Sequence, residues 1–150
     1  MKFIILGCGS SMGVPRADGF FGNCDPKNKK NYRTRCSALL KTSDENVLID
    51  TSPDLRQQLL RHKIKKINKV LYSHMHGDHY FGLIGLISTM HLLGRTKELH
   101  IYGSSILKEI IQLQLSASNT ELCYPLFFHP LTVPLFRLHP NLHPWSRPKV

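Results

Sequence analysis

Seven consecutive residues, Ser73-His74-Met75-His76-Gly77-Asp78-His79, concentrate the groups best able to do chemistry in this chain. They spell H-x-H-x-D-H. Imidazole and carboxylate are ligands that zinc and similar divalent metals accept. His74 and His76 are two residues apart, so an extended segment projects both to one face. Gly77 permits a sharp turn, and Asp78 and His79 can then point back from the start of a following helix. One short segment can thus offer two histidines to one metal ion and a carboxylate with a histidine to a second. Two ions about 3.5–4 Å apart can hold a hydroxide between them and stabilise the attacking and leaving oxygens of a displacement. The structural alternative is a cluster of surface histidines at a helix start.

Other residues have two readings each. Arg33 and Arg35 alternate on an extended segment, where a guanidinium could grip phosphate by two parallel hydrogen bonds; they could equally line the exposed face of an edge strand. The run Arg61-His62-Lys63-Ile64-Lys65-Lys66-Ile67-Asn68-Lys69 is the densest in basic residues. It could follow an RNA backbone, but it has no interleaved aromatics for base stacking, and a solvated face is the plainer reading. Gly7-x-Gly9 after a strand invites a dinucleotide site, but Met12 stands where that fingerprint needs glycine. No C-x-x-C pair occurs among Cys8, Cys24, Cys36 and Cys123, so no zinc ribbon or thioredoxin-type site is signalled. Cys8 and Cys36 are expected to be small buried residues, and His91 and His100 to serve packing.

The elements that must position these groups follow from pattern. The chain has 150 residues, which suits one domain, with 41% hydrophobic and 20% charged residues, which excludes disorder, collagen and coiled coil. The net charge of +10 favours anionic partners. Phe3 to Leu6 reads as a buried strand, and residues 14–35 as a long loop. Cys36 to Lys41 and Asn46 to Asp50 read as two strands joined by a turn. Ser52-Pro53-Asp54 reads as a helix start, with Ser52 as cap and Pro53 at the first helical position. Leu55 and Leu59 would share its inner face. Val70 to Tyr72 precedes the histidine segment, and an apolar helix runs to Leu93. Leu99 to Tyr102 is a strand. Ser105 to Leu115 is a helix with Ile106, Ile110 and Ile111 on one side. Tyr80 to Leu93 is too short for a membrane span and nothing resembles a secretory signal, so a soluble, reduced, cytoplasmic protein without membrane contact is expected. Strands alternating with helices give an α/β layering. Composition divides the chain into residues 1–125 and a segment 126–150. Residues 125–150 hold six of the nine prolines and no acidic residue, a bar to any long helix or central strand.

The histidine segment after a strand resembles the signature of the metallo-β-lactamase fold superfamily. Gly7-Cys8-Gly9-Ser10-Ser11-Met12-Gly13-Val14-Pro15-Arg16, Asn31-Tyr32-Arg33-Thr34-Arg35-Cys36-Ser37 and Leu48-Ile49-Asp50-Thr51-Ser52-Pro53-Asp54 resemble its phosphodiesterase branch. That branch includes phosphoribosyl cyclic phosphate phosphodiesterases and is similar to tRNase Z. The resemblance covers residues 1–125. It implies the N-terminal part of an αββα sandwich, two divalent metal ions (zinc, with manganese as the alternative) and hydrolysis of a cyclic phosphate or an RNA-end phosphodiester through a bridging hydroxide. It assigns His74 and His76 to the first metal, and Asp78 and His79 to the second, with Asp78 at the catalytic centre. Asp50 matches a strand-end aspartate that supports the ligands; its other reading is a turn acid before Pro53.

The family pattern then asks for a third histidine about sixty residues on, a bridging aspartate and a final histidine. No aspartate follows Asp78, so the bridging aspartate and the second half of the sandwich are missing. His139, 60 residues after His79, has the spacing of the third ligand, with His129 and His143 as rivals; its other reading is a histidine in a disordered proline-rich tail. The relatives' cysteine-rich loop is represented by Cys24 alone and is not carried over. Four function classes stay open: the phosphodiesterase, a thioester or lactam hydrolase of the same fold, a catalytically incomplete remnant or half of a split enzyme, and a basic nucleic-acid-binding module. Self-association or a second chain could complete a half-sandwich.

Overall fold

β-Branched and leucine-rich runs punctuated by glycine, serine and aspartate set the strand pattern. The computed structural model, which describes residues 1–131, turns it into one six-stranded sheet in the order β1-β2-β3-β4-β5-β6. The strands are β1 (Lys2–Gly7), β2 (Ser37–Lys41), β3 (Asn46–Ile49), β4 (Lys69–Leu71), β5 (Leu99–Gly103) and β6 (Leu126–Pro130). The helices are α1 (Leu55–Arg61), α2 (Gly77–Tyr80), α3 (Leu83–Leu92) and α4 (Ser105–Ala117), with a 3-10 turn at Lys29–Asn31. β1, β2 and β3 are antiparallel neighbours, and β3 to β6 run parallel. Parallel strands laid down in sequence, each joined by a right-handed crossover, place their connecting helices on one face of the sheet.

That face is the core. Leu39, Leu48, Val70, Leu99 and Ile101 of the strands pack with Leu55, Leu83, Ile87, Leu107 and Ile111 of the helices, each at most 3% exposed. The alternate strand residues point the other way and are half-buried or exposed, with Phe3 and Ile5 about 60% accessible. The expected α/β fold is present, as one helix layer on one sheet. Among the described residues no helix is long and apolar enough to cross a membrane.

Several boundaries differ from expectation, each for a physical reason. α1 begins at Leu55, not at Ser52-Pro53. Ser52 Oγ accepts from Asp54 N at 3.2 Å and Ser52 O from Leu55 N at 3.0 Å, which forms a turn ahead of the helix. The expected inner face of α1 is present, joined by buried Gln58. The apolar helix after the histidines is broken between α2 and α3, because Gly82 packs against the backbone of Ser52. A Cβ there would lie 2.2 Å from Ser52 O. α4 turns Leu107 and Ile111 inward and leaves Ile106 46% exposed, so its inner stripe is offset from the expected one. β6 falls within the proline-rich stretch. Among the described residues it is an edge strand, where a proline removes no ladder bond from a second neighbour, and Pro125 O accepts from Leu99 N at 3.0 Å. Cys8 and Cys36 are exposed rather than buried.

Candidate metal centre

The centre forms where β3 and β4 end side by side. Asp50 follows β3 with φ +58°, a left-handed conformation that aspartate tolerates better than most residues. Its N–H still donates to Leu71 O at 2.9 Å, so it prolongs the β3–β4 pairing while its side chain turns toward the histidine segment. The carboxylate, 5% exposed, accepts three hydrogen bonds. Oδ1 takes Ser73 N at 2.9 Å, and Oδ2 takes Ser73 Oγ at 2.6 Å and His79 Nδ1 at 2.7 Å.

Proton counting then fixes the imidazoles. A carboxylate accepts only, so His79 carries a proton on Nδ1, and Nε2 is the ring nitrogen left to face Asp78 and a metal. Ser73 Oγ spends its one proton on Asp50, so toward His74 Nδ1, 3.0 Å away, it accepts. His74 therefore also presents Nε2. That atom lies 3.1 Å from His76 Nδ1, and His79 Nε2 lies 3.4 Å from Asp78 Oδ2. Two ligands at 2.0–2.1 Å on a tetrahedral zinc are separated by about 3.3–3.4 Å. Each pair therefore has the spacing of two ligands on one ion, and the donor set fits a divalent metal. The His74 and His79 rings, 3.9 Å apart between centroids, hold the two pairs side by side. Among the described residues no three histidine, cysteine, aspartate or glutamate side chains converge on one point. The cluster thus consists of two close side-chain pairs, His74 with His76 and Asp78 with His79.

The backbone holds this arrangement firmly. His76 is extended (φ −78°, ψ 145°) and α2 begins immediately after it. His79 O accepts from Thr51 N at 2.6 Å, and Gly82 N donates to Thr51 O at 2.8 Å, which ties both ends of the α2 turn to the segment after β3. Thr51 Oγ1 in turn meets the buried Tyr72 hydroxyl at 2.5 Å, and burial pushes that phenol far above its usual range. Burial, then the His79 and His76 rings, hold His74 below the usual imidazole range. Asp78 is held below the ordinary carboxylate value: desolvation raises it, but the Ser11 hydroxyl and the nearby His79 and His76 outweigh that. Burial, followed by Asp78, Cys8 and Asp50, raises the Cys36 thiol.

The structure thus brings His74, His76, Asp78, His79 and Asp50 together. It does not add the arginines. Arg35 Nη1 pairs with Asp54 Oδ1 at 2.8 Å and its Nε donates to Ser11 O at 3.0 Å, so this guanidinium braces the glycine-rich loop. Arg33 is exposed, with Nη1 3.6 Å from Cys8 Sγ. His129 lies on β6 with Nε2 2.9 Å from His100 Nδ1, and His100 Nε2 meets Glu98 at 3.0 Å. His139 and His143 lie outside the described residues. Sequence reasoning missed Ser73 and Ser11. Their only signal was a hydroxyl residue directly before the first histidine, and small hydroxyl residues in the glycine-rich loop.

The chain is similar in sequence and fold to known proteins. The chain is 37% identical over 127 residues to a Ribonuclease Z of Bacteroides thetaiotaomicron, an alignment that takes in 83% of this chain. It superposes on the short form of human tRNase Z with TM-score 0.70 and 28% identity, over 87% of this chain and 45% of that one. A diphosphatase from the PhnP family gives TM-score 0.66 and 27% identity, over 86% of this chain and 50% of that one. The chain spans about a third of the length of the curated relatives it matches, 35% for the Bacteroides enzyme. Residues 45–131, more than half of the chain and the stretch that includes the histidine cluster, match the family profile of the beta-lactamase superfamily domain, and the chain belongs to that family.

Proposed function

We propose that this chain carries the ligand cluster of a metal-dependent phosphodiesterase, with an RNA-end or cyclic phosphodiester as substrate. The observation that supports this most is the pair of ligand pairs aligned by Asp50 and Ser73. His74 and His76 would hold one divalent ion, zinc by ligand type, and Asp78 and His79 a second. Bound there, the metal supplies a lowered water pKa and positive charge for phosphoryl oxygens. The chain's own residues do the rest. Asp50 keeps the proton of His79 on Nδ1. Ser73 relays the same control to His74 and fixes its ring. Asp78 stays ionised near neutral pH, with the Ser11 hydroxyl beside it. Among the described residues the Arg33 guanidinium meets only a weak sulfur acceptor, which leaves it available for a substrate phosphate; Arg35 is committed to Asp54. The Ribonuclease Z names of the relatives favour a phosphodiester over a thioester or lactam.

A second reading rests on the absence of three convergent ligands among the described residues. In it the cluster is a half-site completed by residues such as His139, by a second copy or by another chain. One experiment separates the two. The purified full chain is loaded with zinc or manganese and assayed on bis(p-nitrophenyl) phosphate and on a thioester. The first reading expects metal-dependent phosphodiester hydrolysis that His76→Ala and Asp78→Ala abolish, with no thioester turnover. No hydrolysis above the metal-free protein contradicts it and leaves the half-site.

A further inference from the structure

All four cysteines are exposed, and two of them, Cys8 and Cys36, flank the last residue pair of the β1–β2 ladder. Gly7, the last residue of β1, pairs with Ser37, the first of β2. The two segments stay together beyond that pair, since Gly9 N donates to Thr34 O at 2.7 Å and Val14 bridges Arg33. Cys8 and Cys36 are thus bracketed by backbone contacts on both sides, on antiparallel segments. Side-chain direction agrees. Ser37 is buried with its hydroxyl on Asp50 O at 2.9 Å, so the residue before it points to the opposite side. There Cys36 Sγ donates to the carbonyl of Gly9, the neighbour of Cys8, at 3.3 Å. The Cys36 thiol thus already reaches the residue next to Cys8, and a disulfide asks that the two Cα atoms come within roughly 4.4–6.8 Å.

We propose that Cys8 and Cys36 form a reversible disulfide at the rim of the metal centre, made by exchange with a small-molecule disulfide. One thiol, as thiolate, attacks a sulfur of the disulfide RSSR and releases one RS⁻. The other thiolate then attacks the protein sulfur of that mixed disulfide and releases the second RS⁻. The two protein protons go to the two leaving thiolates, so the products are one protein disulfide and two RSH, with the protein oxidised by two electrons and RSSR reduced by two. Exchange draws Cys8 Sγ away from Arg33 Nη1, now 3.6 Å off, and fastens the glycine-rich loop to the start of β2. Cys24 and Cys123, equally exposed, have no cysteine placed opposite them and serve as internal controls. None of this requires the catalytic reading of the histidine cluster.

The test uses the metal-free full chain with oxidised glutathione, quenched by alkylation and digested with trypsin without reduction. Cleavage after Lys2, Arg16, Arg35 and Lys41 puts Cys8 and Cys36 on separate peptides. The expected product is a crosslink between those two peptides, with Cys24 and Cys123 carrying glutathione. Cys8→Ser should lose the crosslink and leave Cys36 glutathionylated. Glutathione on both Cys8 and Cys36 without a crosslink overturns the proposal, as does a crosslink to Cys24. The wild-type map decides the matter even if the variant fails to fold.

Discussion

Replacing Asp50 with asparagine acts through the protons on the imidazoles that it aligns, His79 directly and His74 by way of Ser73. The amide has nearly the same shape, and asparagine tolerates the left-handed backbone at this position (φ +58°). The carboxylate now accepts from Ser73 N, Ser73 Oγ and His79 Nδ1. An amide offers one oxygen. If that oxygen keeps Ser73 N, the NH2 faces Ser73 Oγ and His79 Nδ1. The hydroxyl can rotate and accept, but the imidazole can accept only by moving its proton to Nε2, the atom beside Asp78. If the oxygen turns the other way, NH2 meets Ser73 N–H, an unmatched buried donor that costs about 1–3 kcal/mol. The first arrangement is the cheaper, and it blocks the metal-facing nitrogen. Loss of such a supporting partner lowers metal affinity about 10–100-fold, or roughly 1.4–2.7 kcal/mol. Competition with a chromophoric zinc chelator reads the affinity, and ¹⁵N ring shifts of metal-free protein read the tautomer. A zinc affinity within twofold of wild type, with the His79 proton still on Nδ1, refutes the reasoning.

Three further outcomes follow from the same geometry. Gly82→Ala must push α3 away from Ser52 O, where the new Cβ would sit at 2.2 Å; a thermal melt should show a loss of about 1–3 kcal/mol, and an unchanged melt contradicts that packing. His74 is held low by burial and by His79 and His76, so its ring stays neutral and able to ligate down to lower pH than a free imidazole and takes up its proton only below about 6.5; an NMR titration midpoint at or above that value contradicts the reading. Arg33→Ala should raise KM for a phosphodiester with metal content and stability unchanged, while Arg35→Ala, which breaks the pair with Asp54 and the hold on Ser11 O, should cost about 1 kcal/mol in stability; the reverse pattern would exchange their roles.

What could be read from sequence was local, and what could not was a contact between distant segments. The clustering of His74, His76, Asp78 and His79 was legible because H-x-H-x-D-H is contiguous and its geometry follows from strand alternation and one glycine. Asp50 was ambiguous because its partners, Ser73 and His79, stand 23 and 29 residues away. Ser52 looked like a helix cap by residue type, but Asp54 is drawn to Arg35, 19 residues earlier, so the helix starts after it. Cys8 and Cys36 were expected inside because free cysteine is commonly buried, yet the alternation set by buried Ser37 turns Cys36 outward. β6 was hidden by its prolines, which an edge position tolerates. The break at Gly82 had no local signal; the backbone of Ser52 approaches there, and a single glycine in an apolar run reads as an ordinary helix residue.

We propose that His74 with His76, and Asp78 with His79, each hold one metal ion. Metal content per chain, measured by elemental analysis of the zinc-loaded full chain alongside His76→Ala and Asp78→Ala, tests it most directly. Two ions are expected in the wild type, with each variant losing affinity for a different one and keeping the other. A wild-type chain that retains no zinc, or variants that keep both ions, would contradict it.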